Sequence, residues 1–264
     1  MFTHAILAPV PGVCTLFPAR ARAVYSRPCR GHSGAMAIQL YDLAAADDAL
    51  RFSPYCWRTR MALAHKDLAV TTLPWRFSEK SVIAPFGSER VPVLIDDDQA
   101  VADSWAIAEY LEDSYPDRPS LFEGPGGRAH ARFINAWADQ VMMPLISRMV
   151  VRDIWLALAP QDQEYFRSSR ESRFGRPLED VVADRETTRE TFGQAMAPVR
   201  TVLRAQEWLG GEGPSYADYI VFGGLQWARC ISRFELLDAA DPLSGWRARL
   251  LDLFGGVAAA APRV

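Results

Sequence analysis

The hydrophobic pattern of this 264-residue chain changes once, at Glu123-Gly124-Pro125-Gly126-Gly127, and no other feature limits the fold as much. Before that point, short runs that read as strands alternate with helical stretches. Ile38-Gln39-Leu40-Tyr41-Asp42-Leu43 begins by alternating apolar and polar residues, as a half-buried strand does. After a mixed loop, Ser53-Pro54 opens a helix through Trp57, Met61, Leu63 and Ala64, and Val70 to Trp75 reads as a second strand. Pro92 to Ile95 and Ala100 to Ala102 read as two more strands about the acidic turn Asp96-Asp97-Asp98. Asp103-Ser104 then starts a helix carrying Trp105, Ile107, Ala108 and Leu111, which ends near Ser114-Tyr115-Pro116. Beyond the glycine-rich stretch, strand signals nearly vanish. Helical spacing takes over at Phe133, Trp137, Val141 and Met142, at Phe192, Met196, Val199, Val202 and Leu203, and from Tyr216 to Cys230.

The order β-α-β, an irregular piece, then β-β-α is the layout of a thioredoxin-like domain. The expected fold class is therefore an α/β thioredoxin-like N-terminal domain plus an all-α C-terminal helical domain. The expected boundaries are residues 36–122 for the first, 123–128 for a linker and 129–264 for the second. Residues 1–35 are set apart. They hold no Asp or Glu yet carry Arg20, Arg22, Arg27 and Arg30, a bias shared by transit peptides. Pro9, Pro11, Pro18 and Pro28 spoil a long amphipathic helix there, so the segment reads as a disordered tail or a start placed ahead of Met36.

A net charge of -3 gives no basic footprint of the kind nucleic-acid binders show, and no apolar run approaches bilayer length. Neither a nucleic acid nor a membrane is an expected partner. Cys14, Cys29, Cys56 and Cys230 form no C-x-x-C pair, and His4, His32, His65 and His130 are equally dispersed. Neither set has metal-ligand spacing, so no metal is expected and the thiols read as incidental to a reduced, cytoplasmic enzyme.

Four local patterns carry chemical meaning. Ser53 precedes Pro54, the residue favoured at a first helical position, so on physical grounds it is an N-cap. A thiolate bound at the same place would also be favoured by the helix N-terminus. Arg90-Val91-Pro92-Val93-Leu94 holds either a trans proline beginning an edge strand or a cis proline in a tight turn. Asp103-Ser104 is an N-cap pair whose orphan N–H groups also suit an anion. Ser215 with Asp218 is a capping-box variant, read as structural.

With these motifs in that layout, the chain resembles the glutathione transferase superfamily from about Ile38 to about Gly255. Within it, the chain is most similar to the serine-type branch of bacterial β-aryl etherases and related fungal enzymes. Two stretches add to that likeness, Trp105 to Leu111 leading into Tyr115 to Pro119, and Pro177 to Glu186. The resemblance implies glutathione as cosubstrate, a catalytic Ser53 that donates to its sulfur, and a cis Val91-Pro92 bond beside its cysteine. It also implies Asp103 and Ser104 at the γ-glutamyl group, with Arg90 either at a carboxylate or solvated. Cys56, three residues past Ser53, departs from cysteine-type thiol transfer. Tyr55, Trp75, Trp137 and Met143 are candidates for lining the electrophile pocket. The implied function is glutathione conjugation of an electrophile, probed against two alternatives, β-aryl ether cleavage and non-catalytic binding of hydrophobic ligands. Family habit implies a homodimer.

Overall fold

The computed structural model describes residues 38–264; the reading of residues 1–35 lies outside them. The N-terminal half contains β1 (Ile38–Leu43), α1 (Pro54–His65) and β2 (Val70–Trp75). A single helical turn, α2 (Lys80–Ile83), follows between 3-10 turns, and then come β3 (Val93–Asp96), β4 (Gln99–Ala102) and α3 (Ser104–Ser114). The sheet order is β2-β1-β3-β4, with β1 parallel to β2 and antiparallel to β3, and β3 antiparallel to β4. This is the expected thioredoxin-like half. The third strand starts one residue later than the apolar run suggests, because Pro92 has no N–H for the ladder. Asp96 joins the strand opposite Gln99, which shortens the acidic turn to Asp97-Asp98, with Asp97 at positive φ.

The second half is helical: α4 (Pro125–Trp137), one π-helical turn (Ala138–Met142), α5 (Met143–Ala157), α6 (Pro160–Phe174) and α7 (Leu178–Ala183). After these come α8 (Arg185–Ala195), α9 (Ala197–Ala205), α10 (Tyr216–Ile231) and α11 (Pro242–Gly256). Of the stretch read as a linker at 123–128, Glu123 and Gly124 lie at positive φ. Residues 125–128 are already the first turn of α4, because Pro125 at its start needs no N–H partner. The periodic run from Phe192 to Leu203 is two helices, since Pro198 near the start of α9 cannot continue α8.

α10 is the axis that joins the halves. All but one of its residues are buried, and it packs along α1. Gly223 permits the approach: a Cβ there would stand 2.5 Å from the Pro54 carbonyl oxygen. The start of α10 is held as the sequence suggests, with Ser215 Oγ accepting from Ala217 N–H and Ser215 N–H donating to Asp218. Buried Asp218 also receives Leu209 N–H, Gly210 N–H and Trp246 Nε1–H, so one carboxylate ties three segments together. No helix among the described residues is long and apolar enough to cross a membrane.

Candidate active site

Ser53 closes the N-terminus of α1. Its backbone is extended (φ -61°, ψ 127°), and its Oγ accepts from Cys56 N–H at 3.3 Å. The cap uses a lone pair of the hydroxyl, whose proton also lies within reach of the Cys56 thiol. The side chain is buried yet borders a cleft of about 520 Å³. Val91-Pro92 is cis, and Val91 borders the same cleft with Arg90.

The cleft separates the thioredoxin-like half from α5 and α6. On one side stand Phe52, Tyr55, Trp75 and Phe77, and on the other Met143, Val151, Tyr165 and Phe166. Ser53, Tyr55, Trp75, Arg90, Val91 and Met143 are thus brought together as the sequence suggests. Trp137 is half-buried on α4 and packs against the core outside this cleft lining. Asp139, in the π turn that follows, borders the cleft.

Pro92, Asp103 and Ser104 are not part of the cleft lining either. They adjoin it through the backbone, because Asp103 N–H donates to Pro92 C=O at 3.2 Å. Asp103 lies at φ 80° and its Oδ1 accepts from Trp105 N–H and Ala106 N–H at 2.9 and 3.1 Å, so its capping role is realised. Ser104 is buried, and its carbonyl accepts from Tyr216 Oη–H at 2.7 Å. The helix start at Asp103 is therefore fixed from α10, in the other half of the molecule.

Charge around the cleft has clear causes. Arg58, fully buried on α1, donates to Asn135 Oδ1 at 3.0 Å and Asp139 Oδ1 at 2.8 Å, and its guanidinium stacks over the Tyr55 ring. Burial, then the Asp139 charge, raises the Tyr55 phenol above its ordinary value, which keeps it protonated at neutral pH. Cys56 is fully buried and outside the cleft lining. Burial and the adjacent Asp42 push its thiol well up, which opposes thiolate formation there. No group of three His, Cys, Asp or Glu side chains is placed to hold a metal among the described residues.

Sequence reasoning missed the α6 wall: Tyr165, Phe166, Ser169, Arg170, Arg173 and Phe174 all line the cleft. They recur every four residues, the spacing of one helical face, and that repeat was the available signal.

Comparisons with known proteins agree with this architecture. Residues 49–119 match the family model for the glutathione S-transferase N-terminal domain, and residues 129–254 match that for its C-terminal domain. A probable glutathione S-transferase of Oryza sativa subsp. japonica is 28% identical over 75% of this chain and 80% of its own. A maleylacetoacetate isomerase of Pseudomonas aeruginosa is 28% identical over 62% of this chain and 73% of its own. Among solved structures, the glutathione transferase GSTFuA3 from Phanerochaete chrysosporium superposes with a TM-score of 0.75 at 26% identity, covering 82% of this chain and 97% of that one. A glutathione S-transferase of Ceriporiopsis subvermispora in complex with glutathione gives 0.70 at 26%, covering 83% and 96%. With both family domains matched in order on the fold just described, the chain belongs to the glutathione transferase superfamily and is a transferase enzyme.

Proposed function

We propose that this transferase conjugates glutathione to a hydrophobic aryl electrophile, with Ser53 as the group that stabilises the attacking thiolate. The observation that carries this reading is Ser53 at the N-terminus of α1, on the edge of an aromatic-lined cleft. Glutathione supplies the nucleophile: its sulfur bonds to the electrophilic carbon, the leaving group departs with the bonding pair, and the thiol proton passes to solvent. The hydroxyl and the helix N-terminus lower the energy of the thiolate, and a shift of roughly 2 pKa units corresponds to about 2.7 kcal/mol. The Val91 backbone, in this reading, orients the cysteinyl unit, Asp103 and Ser104 anchor the γ-glutamyl end, and Arg90 meets a glutathione carboxylate. The pocket for the electrophile is formed by Tyr55, Trp75 and Met143 with the α6 face. The chain's own contribution is positioning and electrostatic stabilisation.

The test is conjugation of an aryl halide by wild type and Ser53→Ala, with glutathione affinity recorded in parallel. A large rate loss with binding retained supports the assignment; equal rates in the two proteins overturn it.

The aromatic lining also suits cleavage of β-aryl ethers, the activity of the etherase-like branch. Release of a phenol from a model β-aryl ether would establish that narrower activity, and turnover of aryl halides without it would exclude it. We further infer a cytoplasmic homodimer from the family resemblance. Phe133 on α4, 70% exposed, is an apolar side chain that such pairing would cover. Sedimentation velocity of wild type and Phe133→Glu tests this, and a monomeric wild type rejects it.

A further inference from the structure

We propose that the cleft selects electrophiles bearing a carboxylate, and that Arg170 with Arg173 on α6 receives that group. The inference rests on the conjugation reading of the cleft and names its substrate class. The acidic side chains lining the cleft are already engaged: Glu89 pairs with Lys80 at 3.9 Å, and Asp139 with Arg58 at 2.8 Å. Arg90, Arg170 and Arg173 line the same cleft, and among the described residues none of the three has an ion-pair partner. Three guanidinium groups that cannot lose their charge at neutral pH thus border a cleft walled largely by aromatic side chains.

Arg170 is the most constrained of them. It is half-buried, with its guanidinium 4.6 Å from the Phe166 ring centroid and 5.8 Å from that of Phe77. Among the described residues its side chain makes one hydrogen bond, from Nη1 to Ser169 Oγ at 2.9 Å. Burial, then the charges of Arg173 and Arg90, hold its pKa below the ordinary value. Stacking on two rings fixes the plane of the guanidinium, and a planar fork held in place matches a carboxylate bidentately. The rings beneath it offer an apolar platform to the rest of such a ligand. The ligand class that satisfies both features is an aryl or arylalkyl acid with an electrophilic carbon. Glutathione carries the same chemistry in its glycyl carboxylate, so the experiment separates the two sources.

The probes are 4-chloro-3,5-dinitrobenzoate and its methyl ester, each rate corrected for the uncatalysed reaction, with wild type, Arg170→Met and Arg173→Gln. The expected result is that wild type prefers the acid in kcat/KM by about tenfold or more, the value of a charge-assisted hydrogen bond pair. That preference collapses in Arg170→Met and weakens in Arg173→Gln, while KM for glutathione stays near the wild-type value. An acid-to-ester ratio unchanged by both substitutions overturns the proposal. If KM for glutathione rises instead, the two arginines belong to the glycyl carboxylate and the substrate assignment is wrong. Should wild type conjugate neither probe, fluorescence titration with unreactive 3,5-dinitrobenzoate and its methyl ester decides separately. Tighter binding of the acid that Arg170→Met abolishes upholds the carboxylate site although the conjugation reading has failed; equal binding of acid and ester overturns it. If Arg170→Met does not fold, exposed Arg173→Gln carries the same comparison.

Discussion

Arg58 Nη2 donates to Asp139 Oδ1 at 2.8 Å, joining the first helix of the thioredoxin-like half to the π turn of the helical half. The two partners are unequally placed, for the Arg58 side chain is 1% exposed and that of Asp139 is 34% exposed. Asn135 completes the arrangement by accepting from Arg58 and donating Nδ2–H to Asp139 Oδ2 at 3.0 Å. Arg58 stacks over the Tyr55 ring, and Asp139 and Tyr55 both border the cleft.

That asymmetry predicts unequal costs. Asp139→Ala leaves a buried guanidinium short of a partner and should cost about 2–3 kcal/mol. Arg58→Met leaves a carboxylate that reaches water and fills the buried volume, and should cost about 1 kcal/mol or less. Urea unfolding of the two variants checks the order; equal losses would show that the ion pair is not the determining contact.

Ser53→Ala should behave differently across pH. The conjugation rate should fall most near neutrality, where the thiolate depends on help. Wild type and variant should converge above about pH 9, where glutathione ionises unaided. Lost capping should separately lower stability by about 1 kcal/mol. A rate ratio constant with pH would argue that Ser53 acts on something other than thiol ionisation.

Gly223 and Gly224 make a paired test. A Cβ on Gly223 meets the backbone oxygen of Pro54 at 2.5 Å, which cannot give way without moving α1 and Ser53. A Cβ on Gly224 meets the tip of Met142, Cε at 2.7 Å, a flexible end that can shift. Gly223→Ala should therefore lose both stability and conjugation rate. Gly224→Ala should lose little, offset by the helical preference of alanine over glycine, about 1 kcal/mol. Melting temperature and initial rate read both effects.

His65 predicts an acid-side loss of stability. Its Nδ1 lies 2.6 Å from Tyr219 Oη, and burial, then the neighbouring Lys66 charge, lower its pKa below the ordinary 6.5. The unfolded chain then binds the proton more readily than the folded one. The His65 contribution is whole above pH 6.5 and is lost as pH falls through the depressed folded value. His65→Gln should flatten that decline in urea midpoints measured from neutrality downward; an unaltered slope would assign the decline to other groups.

Much of this protein is legible without its tertiary structure, because local signals suffice. Alternation marks β1, proline punctuates the starts of α1, α4 and β3, and Asp103 and Ser215 satisfy helix N–H groups that lie only two or three residues away. Those are short-range causes; the interest of Ser53, Val91-Pro92 and Asp103-Ser104 as a site came from the family resemblance their motifs carry. Which side chains face one another across the cleft was decided by packing at long range. Asp139 reaches the cleft from within a π turn, a local change of winding that no apolar spacing reveals. The α6 face held a visible four-residue repeat, but its meaning depended on α6 lying against Phe77 from the other half. A helical pattern marks a face; the partner, and therefore the difference between core, surface and site, comes only from the chain folding back on itself. That Arg170 has no ion-pair partner among the described residues follows from the same cause, since charge balance in a cleft is a property of residues far apart in sequence.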